Sequence, residues 1–462
     1  MIKTLGNNGI KLLLFLIIIL IYLFTYIVKD ACMHAKLFNI NDIRSKIFKL
    51  EFNPVYNEIH LNNGLRRTSK TKHSQDTVAQ YFSRNVRAKK INCRAIVHRD
   101  NNALQKAKRT SRPSSSFLTA DNYVNMTDNC DNFIDNRGYI TDHLTEEEKD
   151  FPIAYSILMY KNVEQFERLL RAIYRPQNIY CLHVDSKSAT VIYKAVLSIA
   201  RCFDNVFLLD KRIRVSWGKM SVLTPELLCM KELWERSKTW KYFINLTGQE
   251  FPLKTNYELV QILKAYNGSN DVETSVQKRF IDRCKTADFP PPHGVHVRKG
   301  ALHIAVNRGY VNYSLHDERA HDILEWTRKA CYIPDEIYFS TLNHNAHLGV
   351  PGSYGGIPET TRLPLKRKPY LARYKNRVKS ITHRYPCHGI VVRGICIYGI
   401  GDLPILARRQ ELFANKFHLN LSPLVFECLE ELIYNRTRDE YLGRKKFDAT
   451  WYSTLGFVTD KM

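Results

Sequence analysis

Asp185, Glu336, Arg393 and Lys416 are the residues of this 462-residue chain whose types and settings could carry chemistry. Asp185 closes the run Cys181-Leu-His-Val-Asp185, and in an open α/β sheet ligands gather beyond the carboxyl ends of strands. There it can meet a nucleotide or, as an ordinary loop carboxylate, cap the next segment. Glu336 follows Pro334-Asp335. Proline at a first helical position would set both acids at a helix N-terminus, where the dipole keeps a carboxylate ionised and able to take a proton from an acceptor hydroxyl. Acids are favoured in first turns for structural reasons too, so position leaves both readings open. Arg393 precedes an apolar stretch at 395–398, and Lys416 sits in Phe413-Ala-Asn-Lys-Phe417. Flanking one phosphate, they would do electrostatically what a metal does; otherwise they are surface cations. The chain has no D-x-D pair, no G-x-x-x-x-G-K-[ST] loop and no G-x-G-x-x-G loop, so a diphosphate would have to be neutralised by side chains. No C-x-x-C or Cys/His spacing suggests a metal, which leaves disulfides as the default use of the 11 cysteines.

The elements that must position these residues alternate in type. An apolar strand over 153–159 leads to Asn162-Val-Glu-Gln165, a helix-capping pattern, after which Val163, Phe166, Leu169, Leu170 and Ile173 share one helical face. A strand over 179–184 completes a β-α-β unit. Strands over 206–209, 242–246 and 302–306, with helices over 223–235, 257–265, 321–330 and 334–343, extend it into an open sheet covered by helices.

Ahead of this region, residues 12–28 contain no charge and lie between Lys11 and Lys29, enough for a membrane-spanning signal anchor. Flanking lysines on both sides leave its orientation open. Ten cysteines from Cys93 onward, and N-x-S/T sequons at Asn125, Asn245, Asn267, Asn312, Asn420 and Asn435, place the region after the span in an oxidising lumen. Asn245 lies in a strand-like apolar run and is expected to stay unmodified. Residues 29–120 carry 19 Lys/Arg against 6 Asp/Glu without sustained periodicity. They read as a solvated basic stem rather than a nucleic-acid surface. The expected layout is a cytoplasmic tail 1–11, an anchor 12–28, a stem 29–120, a lumenal domain 121–440 and a C-terminal tail 441–462.

Several ordered blocks carry a resemblance. They are Phe151-Pro-Ile-Ala-Tyr-Ser156, Glu167-Arg-Leu-Leu-Arg-Ala-Ile-Tyr-Arg-Pro-Gln-Asn178, Cys181-Leu-His-Val-Asp185, Trp240-Lys-Tyr-Phe-Ile-Asn-Leu246, Gly248-Gln-Glu-Phe-Pro-Leu-Lys-Thr-Asn256, Pro334-Asp-Glu336, Gly394-Ile-Cys-Ile-Tyr-Gly399 and Leu412-Phe-Ala-Asn-Lys-Phe417. Over about 93–428 the chain resembles the core 2 and I-branching β-1,6-N-acetylglucosaminyltransferases. The resemblance implies a GT-A-like α/β fold and a single-pass type II protein of the Golgi membrane. It implies inverting transfer from UDP-N-acetylglucosamine, without a metal, to the 6-hydroxyl of an O-glycan or lactosamine acceptor on glycoproteins. It makes Glu336 the catalytic base, Arg393 and Lys416 the grip on the UDP diphosphate, Asp185 part of the nucleotide pocket, and Glu273 with Arg279 acceptor contacts. It also implies disulfides Cys93–Cys428, Cys130–Cys202, Cys181–Cys229 and Cys387–Cys396, the first tying the lumenal domain back to the stem. Cys284, Cys331 and Cys32 are left over, and a homodimer is one assembly open to the chain.

The sequence departs from the family pattern on the acceptor side. The stretch from Glu273 to Arg279 is short, with Lys278 the only nearby lysine. A W-x-Y platform before Cys387 is absent, and Lys299-Gly300-Ala301 replaces Gly-Ser-Ala. A transferase using another sugar, such as xylose, and a catalytically weak glycan-binding protein of the Golgi are therefore the competing expectations.

Overall fold

In the computed structural model, residues 82, 91–110, 117–357, 370–378 and 385–462 are described, all within a unit running from Lys72 to Met462. The 12–28 anchor, most of the 29–120 stem and Cys32 lie outside them. Among the described residues, no helix is long and apolar enough to cross a membrane.

The strands are β1 (Ile153–Met159), β2 (Ile179–Val184), β3 (Val206–Leu208), β4 (Tyr242–Thr247), β5 (Glu250–Pro252), β6 (Asp271–Val272), β7 (Ile304–Asn307), β8 (Arg373–Tyr374), β9 (Ile390–Val392), β10 (Ile395–Ile397) and β11 (Phe413–Asn415). A mixed sheet runs in the order β3-β2-β1-β4-β7-β6. β1 pairs in parallel with β2 and β4, while β7 runs antiparallel to β4 and to β6. β1 is apolar except for Ser156 because both its faces are covered. Ile153, Tyr155, Ile157 and Met159 enter one core, and Ala154 enters the other, as the two-residue period of a strand requires.

The helix Val163–Ile173 makes the crossover from β1 to β2, and the Asn162 side chain accepts from the Gln165 N–H at 2.9 Å. Its Val163, Phe166, Leu169, Leu170 and Ile173 are all buried. A further crossover helix, Thr190–Arg201, joins β2 to β3, and Ala195, Val196, Ile199 and Ala200 form its buried stripe. A small sheet, β5-β11-β8, and a hairpin, β9-β10, stand apart from the main sheet.

Five disulfides close the fold: Cys93–Cys428, Cys130–Cys202, Cys181–Cys229, Cys284–Cys331 and Cys387–Cys396. Two segments assigned to stem and tail are built into the core. Helices Cys93–Val97 and Asn101–Thr110 bury Ile96 and Ala107, with Cys93 pinned to the long helix Pro423–Tyr441 by its disulfide. Beyond Tyr441, Tyr452, Leu455 and Phe457 join the main core, and the rings of Tyr266 and Phe457 meet edge to face at 4.8 Å. Apolar burial anchors these ends where sequence periodicity is too short to register.

Candidate active site

β1, β2 and β4 end at one edge of the sheet, and antiparallel β7 begins there, so the loops around Asp185, Gly248 and Lys299 share that edge. Asp185 is buried directly beyond β2. Its Oδ1 accepts the Lys187 N–H at 2.9 Å, and Lys187 Nζ lies 3.4 Å from Oδ2. The capping role is therefore real, and it occurs at a strand end open to a ligand. Next to it Tyr160, Lys161, Asn162, Lys187 and Asn420 line a cleft of about 440 Å³. Lys161 and Lys187 stand 5.0 and 5.3 Å from the Tyr160 ring centre.

Arg393 and Lys416 arrive from different elements. Arg393 (φ +50°) and Gly394 (φ +78°) form the two-residue turn between β9 and β10, a left-handed turn that suits the twist of a hairpin. Arginine pays conformationally for that position, which is a mark of functional sites. Just past β10, the Tyr398 N–H donates to the Lys416 carbonyl at 3.0 Å, bringing the hairpin to the end of β11. Burial, then the charge of Arg393, holds the Lys416 ammonium below its usual range. His418 is pushed down by burial and by Lys416. Like charges gathered this way form a basin for an anion.

Glu336 ends a 3₁₀ turn, Pro334–Glu336, and Ile337, itself in the right-handed helical region, leads into the α-helix that begins at Tyr338. Both acids therefore stand at the N-terminal end of this helical segment. The Glu336 carbonyl is captured by the Gly300 N–H at 2.6 Å, and two cations act on the carboxylate. Arg283 Nη1 donates to Glu336 Oε2, and Lys299 Nζ lies 3.6 Å from the same oxygen. Burial opposes the charge, but Lys299 and Arg283 outweigh it and hold the carboxyl below the ordinary glutamate range. The neighbouring Asp335 goes the other way, pushed up to about 7 by burial and by the charge of Glu336. Adjacent acids driven apart in this manner are a hallmark of acid–base sites.

A second cluster, containing Glu273, forms around Gly300. Lys299 bridges Ser275, with the Ser275 N–H donating to the Lys299 carbonyl at 2.6 Å. That places Glu273 two residues from the bridge. A β-carbon on Gly300 would stand 2.0 Å from the Glu273 carbonyl oxygen and 2.8 Å from Ser340 Cβ, so only glycine fits. Gly300→Ala is expected to cost about 1–3 kcal/mol and to shift Lys299 off Glu336. Thermal melts and initial rates should fall together, and an unchanged rate would refute the coupling. Half-buried Lys375 is pushed down to about 8 by burial, with Glu273 opposing. Arg279 is exposed and bonds Gln277 through Nε at 3.1 Å. Arg283, in the following turn, meets Glu336 together with Lys299.

Behind the site, buried Arg373 donates through Nε to Glu250 Oε2 at 2.7 Å and through Nη2 to the Asn245 carbonyl. Burial opposes the Glu250 charge, yet Arg373 and His303 bring its carboxyl down to about 2. The Asn245 side chain engages the backbone of Leu302 and Ile304 with both its ends. The Asn245 amide is thus committed to the core. Asn125, Asn267, Asn312 and Asn420 are exposed and Asn435 is half-buried.

The sequence profile of the Core-2/I-Branching enzyme family matches residues 153–361. A Homo sapiens protein named β-1,3-galactosyl-O-glycosyl-glycoprotein β-1,6-N-acetylglucosaminyltransferase is 37% identical over 369 residues, spanning 74% of this chain and 84% of its own. The chain belongs to the core-2/I-branching enzyme family. It is a glycosyltransferase. A Homo sapiens N-acetyllactosaminide β-1,6-N-acetylglucosaminyltransferase is likewise 37% identical, over 68% of this chain and 79% of its own. A Bovine herpesvirus 4 protein with the same name as the first is 35% identical over 80% of this chain and 88% of its own. The enzyme's Arg283, Lys299 and Lys375 escaped sequence reading because three separate segments deliver them; the lone signal was Lys299-Gly300-Ala301.

Proposed function

We propose that this enzyme transfers N-acetylglucosamine from UDP-N-acetylglucosamine, with inversion and without a metal, to the 6-hydroxyl of an O-glycan or lactosamine acceptor. The observation that carries the reading is Glu336, whose Oε2 is fixed by Arg283 and Lys299. Oε1 is then the oxygen that takes the acceptor proton. As the hydroxyl oxygen forms its bond to sugar C1, the C1–O bond to the diphosphate breaks on the opposite face, giving the β product. Arg393 and Lys416 receive the charge that develops on departing UDP. Asp185 contributes to the nucleotide pocket, Glu273 and Arg279 to the acceptor pocket, and Lys375 adds a cation beside Glu273.

The fold is GT-A-like in this reading, and residues 12–28 anchor the enzyme as a type II protein in the Golgi membrane. The mixed sheet and the lumen-type disulfides support both statements. The purified full-length chain should be assayed with UDP-N-acetylglucosamine and UDP-xylose against core 1, core 3 and poly-lactosamine acceptors. Transfer of N-acetylglucosamine to one of these is expected. Transfer of xylose alone, or glycan binding with no turnover, would contradict the proposal.

A further inference from the structure

Arg283, whose guanidinium pairs with Glu336, belongs to a stretch with little regular structure. The single helical turn Lys278–Ile281 ends just before it, and among the described residues only the 3₁₀ turn Pro292–Gly294 and isolated bridges interrupt the loop before β7. A long irregular segment keeps one geometry only when something ties it down. The ion pair is too weak a tie. The Arg283 side chain is 25% exposed and that of Glu336 28%, and a pair so open to water contributes too little to order a loop by itself.

A covalent tie is present beside it. Cys284, the residue after Arg283, is bonded to Cys331, and these are two cysteines to which the family resemblance assigns no pairing. They face each other in an antiparallel bridge, where the Lys285 N–H donates to the Ala330 carbonyl at 3.0 Å and the Tyr332 N–H donates to the Arg283 carbonyl at 2.9 Å. Cys331 also opens the segment that carries the acid. In that segment Ile333 sits at φ +59°, a setting that a β-branched residue holds only where its surroundings over-determine it. The Ile333 N–H donates to the Gly218 carbonyl at 3.2 Å, and the Ile333 carbonyl accepts the Glu336 N–H at 3.1 Å. The strained residue thus sets the turn on which Glu336 stands.

The crosslink lies in a small core of its own. Cys284, Val297, Trp326, Ala330 and Ile337 pack together apart from the larger cores, with Ile281 and Cys331 against them. Three of these residues adjoin the charged cluster: Cys284 follows Arg283, Ile337 follows Glu336, and Val297 stands two residues before Lys299. One apolar contact set therefore fixes the backbone beside each partner of the Glu336 carboxylate, and the disulfide closes it.

We propose that the Cys284–Cys331 disulfide is a positioning device for the catalytic base, holding Arg283 on Glu336 Oε2 so that Oε1 is left to the acceptor hydroxyl. This rests on the reading of Glu336 as the base. Without the bond Arg283 leaves the carboxylate. Burial, which raises the carboxyl, is then opposed by Lys299 and Lys375 alone, with Asp335 adjacent, and Glu336 moves up toward its ordinary range.

The test compares the full-length enzyme with Cys284→Ser/Cys331→Ser, with Arg283→Met and with all three changes combined, in transfer from UDP-N-acetylglucosamine across pH, plus UDP binding by calorimetry. Arg283→Met breaks the pair directly, and the serine pair should reproduce its effect: kcat lower by roughly tenfold to a hundredfold, as for a displaced catalytic group. The base must be ionised to act, so the acidic limb of kcat/KM should move to higher pH in both, while UDP affinity stays unchanged. The combined variant should lose no more than Arg283→Met alone, because the disulfide acts through that side chain. A merely structural crosslink would lower the melting temperature and leave the limb in place. Wild-type kcat with an unmoved limb in the serine pair would overturn the proposal, as would losses that multiply in the combined variant. Should the serine pair fail to fold, Cys284→Ala with Cys331→Val refills the small core and is judged by the same measures. A chain that folds with neither replacement needs the bond for its fold rather than for Arg283, and that result also counts against the proposal. Wild-type turnover in Glu336→Gln would remove the base reading itself; lost turnover there, with the serine pair behaving as wild type, removes only the role of the disulfide.

Discussion

Glu336→Gln is expected to lower kcat by about a thousandfold, the middle of the range for loss of a general base, while UDP binding stays as in the wild type. Glutamine keeps the shape and can still accept from Arg283, so the loss isolates the proton transfer. The pH dependence follows from the same contacts. Glu336 is held below its ordinary value of 4.5, so it remains ionised and active as the pH falls to that value; the acidic limb of kcat/KM should lie beneath it. The most strongly paired buried carboxyls keep their charge through that excursion. Glu167 and Glu250 are each brought down to about 2, the first by Arg171 and Arg137 and the second by Arg373 and His303, against opposing burial. Depressed carboxyls contribute stability above their unfolded values, and lose it only as the pH falls through the folded ones. Asp335, raised to about 7, has the opposite sign: its stabilising neutral form is fully present in acid and lost as the pH rises through that value. An acidic limb at or above 4.5 in the wild type, or an unaltered kcat in the glutamine variant, would remove Glu336 from the role.

The second large effect is expected at the diphosphate. A hydrogen bond to a charged group contributes about 1.5–3 kcal/mol, so Arg393→Ala or Lys416→Met should each reduce kcat/KM for UDP-N-acetylglucosamine by roughly 10–100-fold. The double variant should fall further. The repulsion that depresses Lys416 is relieved when the diphosphate arrives, so its proton is bound more firmly in the complex. Each variant should be equally active with and without chelator. Rescue by added manganese, with wild-type activity abolished by chelator, would show that a metal and not these cations carries the phosphate charge.

The centre of the sheet was legible because β1 and β2 are long and mostly apolar. Ile153–Met159 and Ile179–Val184 declare themselves by composition, and Asn162 with Gln165 marks the start of the intervening helix. The helix Thr190–Arg201 went unread although its stripe of Ala195, Val196, Ile199 and Ala200 has helical spacing; small residues weaken that signal. Strands of two or three residues, such as β5, β8 and β11, carry no period at all. Their pairing is decided by Glu250, Arg373 and Asn415 meeting across the core.

The candidate acid lies in one short segment, Pro334-Asp335-Glu336, whereas Arg283 lies 53 residues away and reaches it only through the fold. The first turn at Pro334–Glu336 is 3₁₀ rather than α, and the Glu336 carbonyl goes to Gly300. Glu273, Lys299, Gly300 and Lys375 come together only through tertiary contact.

The most direct measurement of the central claim is the anomeric configuration and linkage of the product, determined by nuclear magnetic resonance after reaction with UDP-N-acetylglucosamine in excess chelator. In-line displacement driven by Glu336 and released by Arg393 and Lys416 predicts a β-linked N-acetylglucosamine on the acceptor 6-oxygen. An α-linked product, another linkage position, or no product until a divalent cation is restored would contradict it.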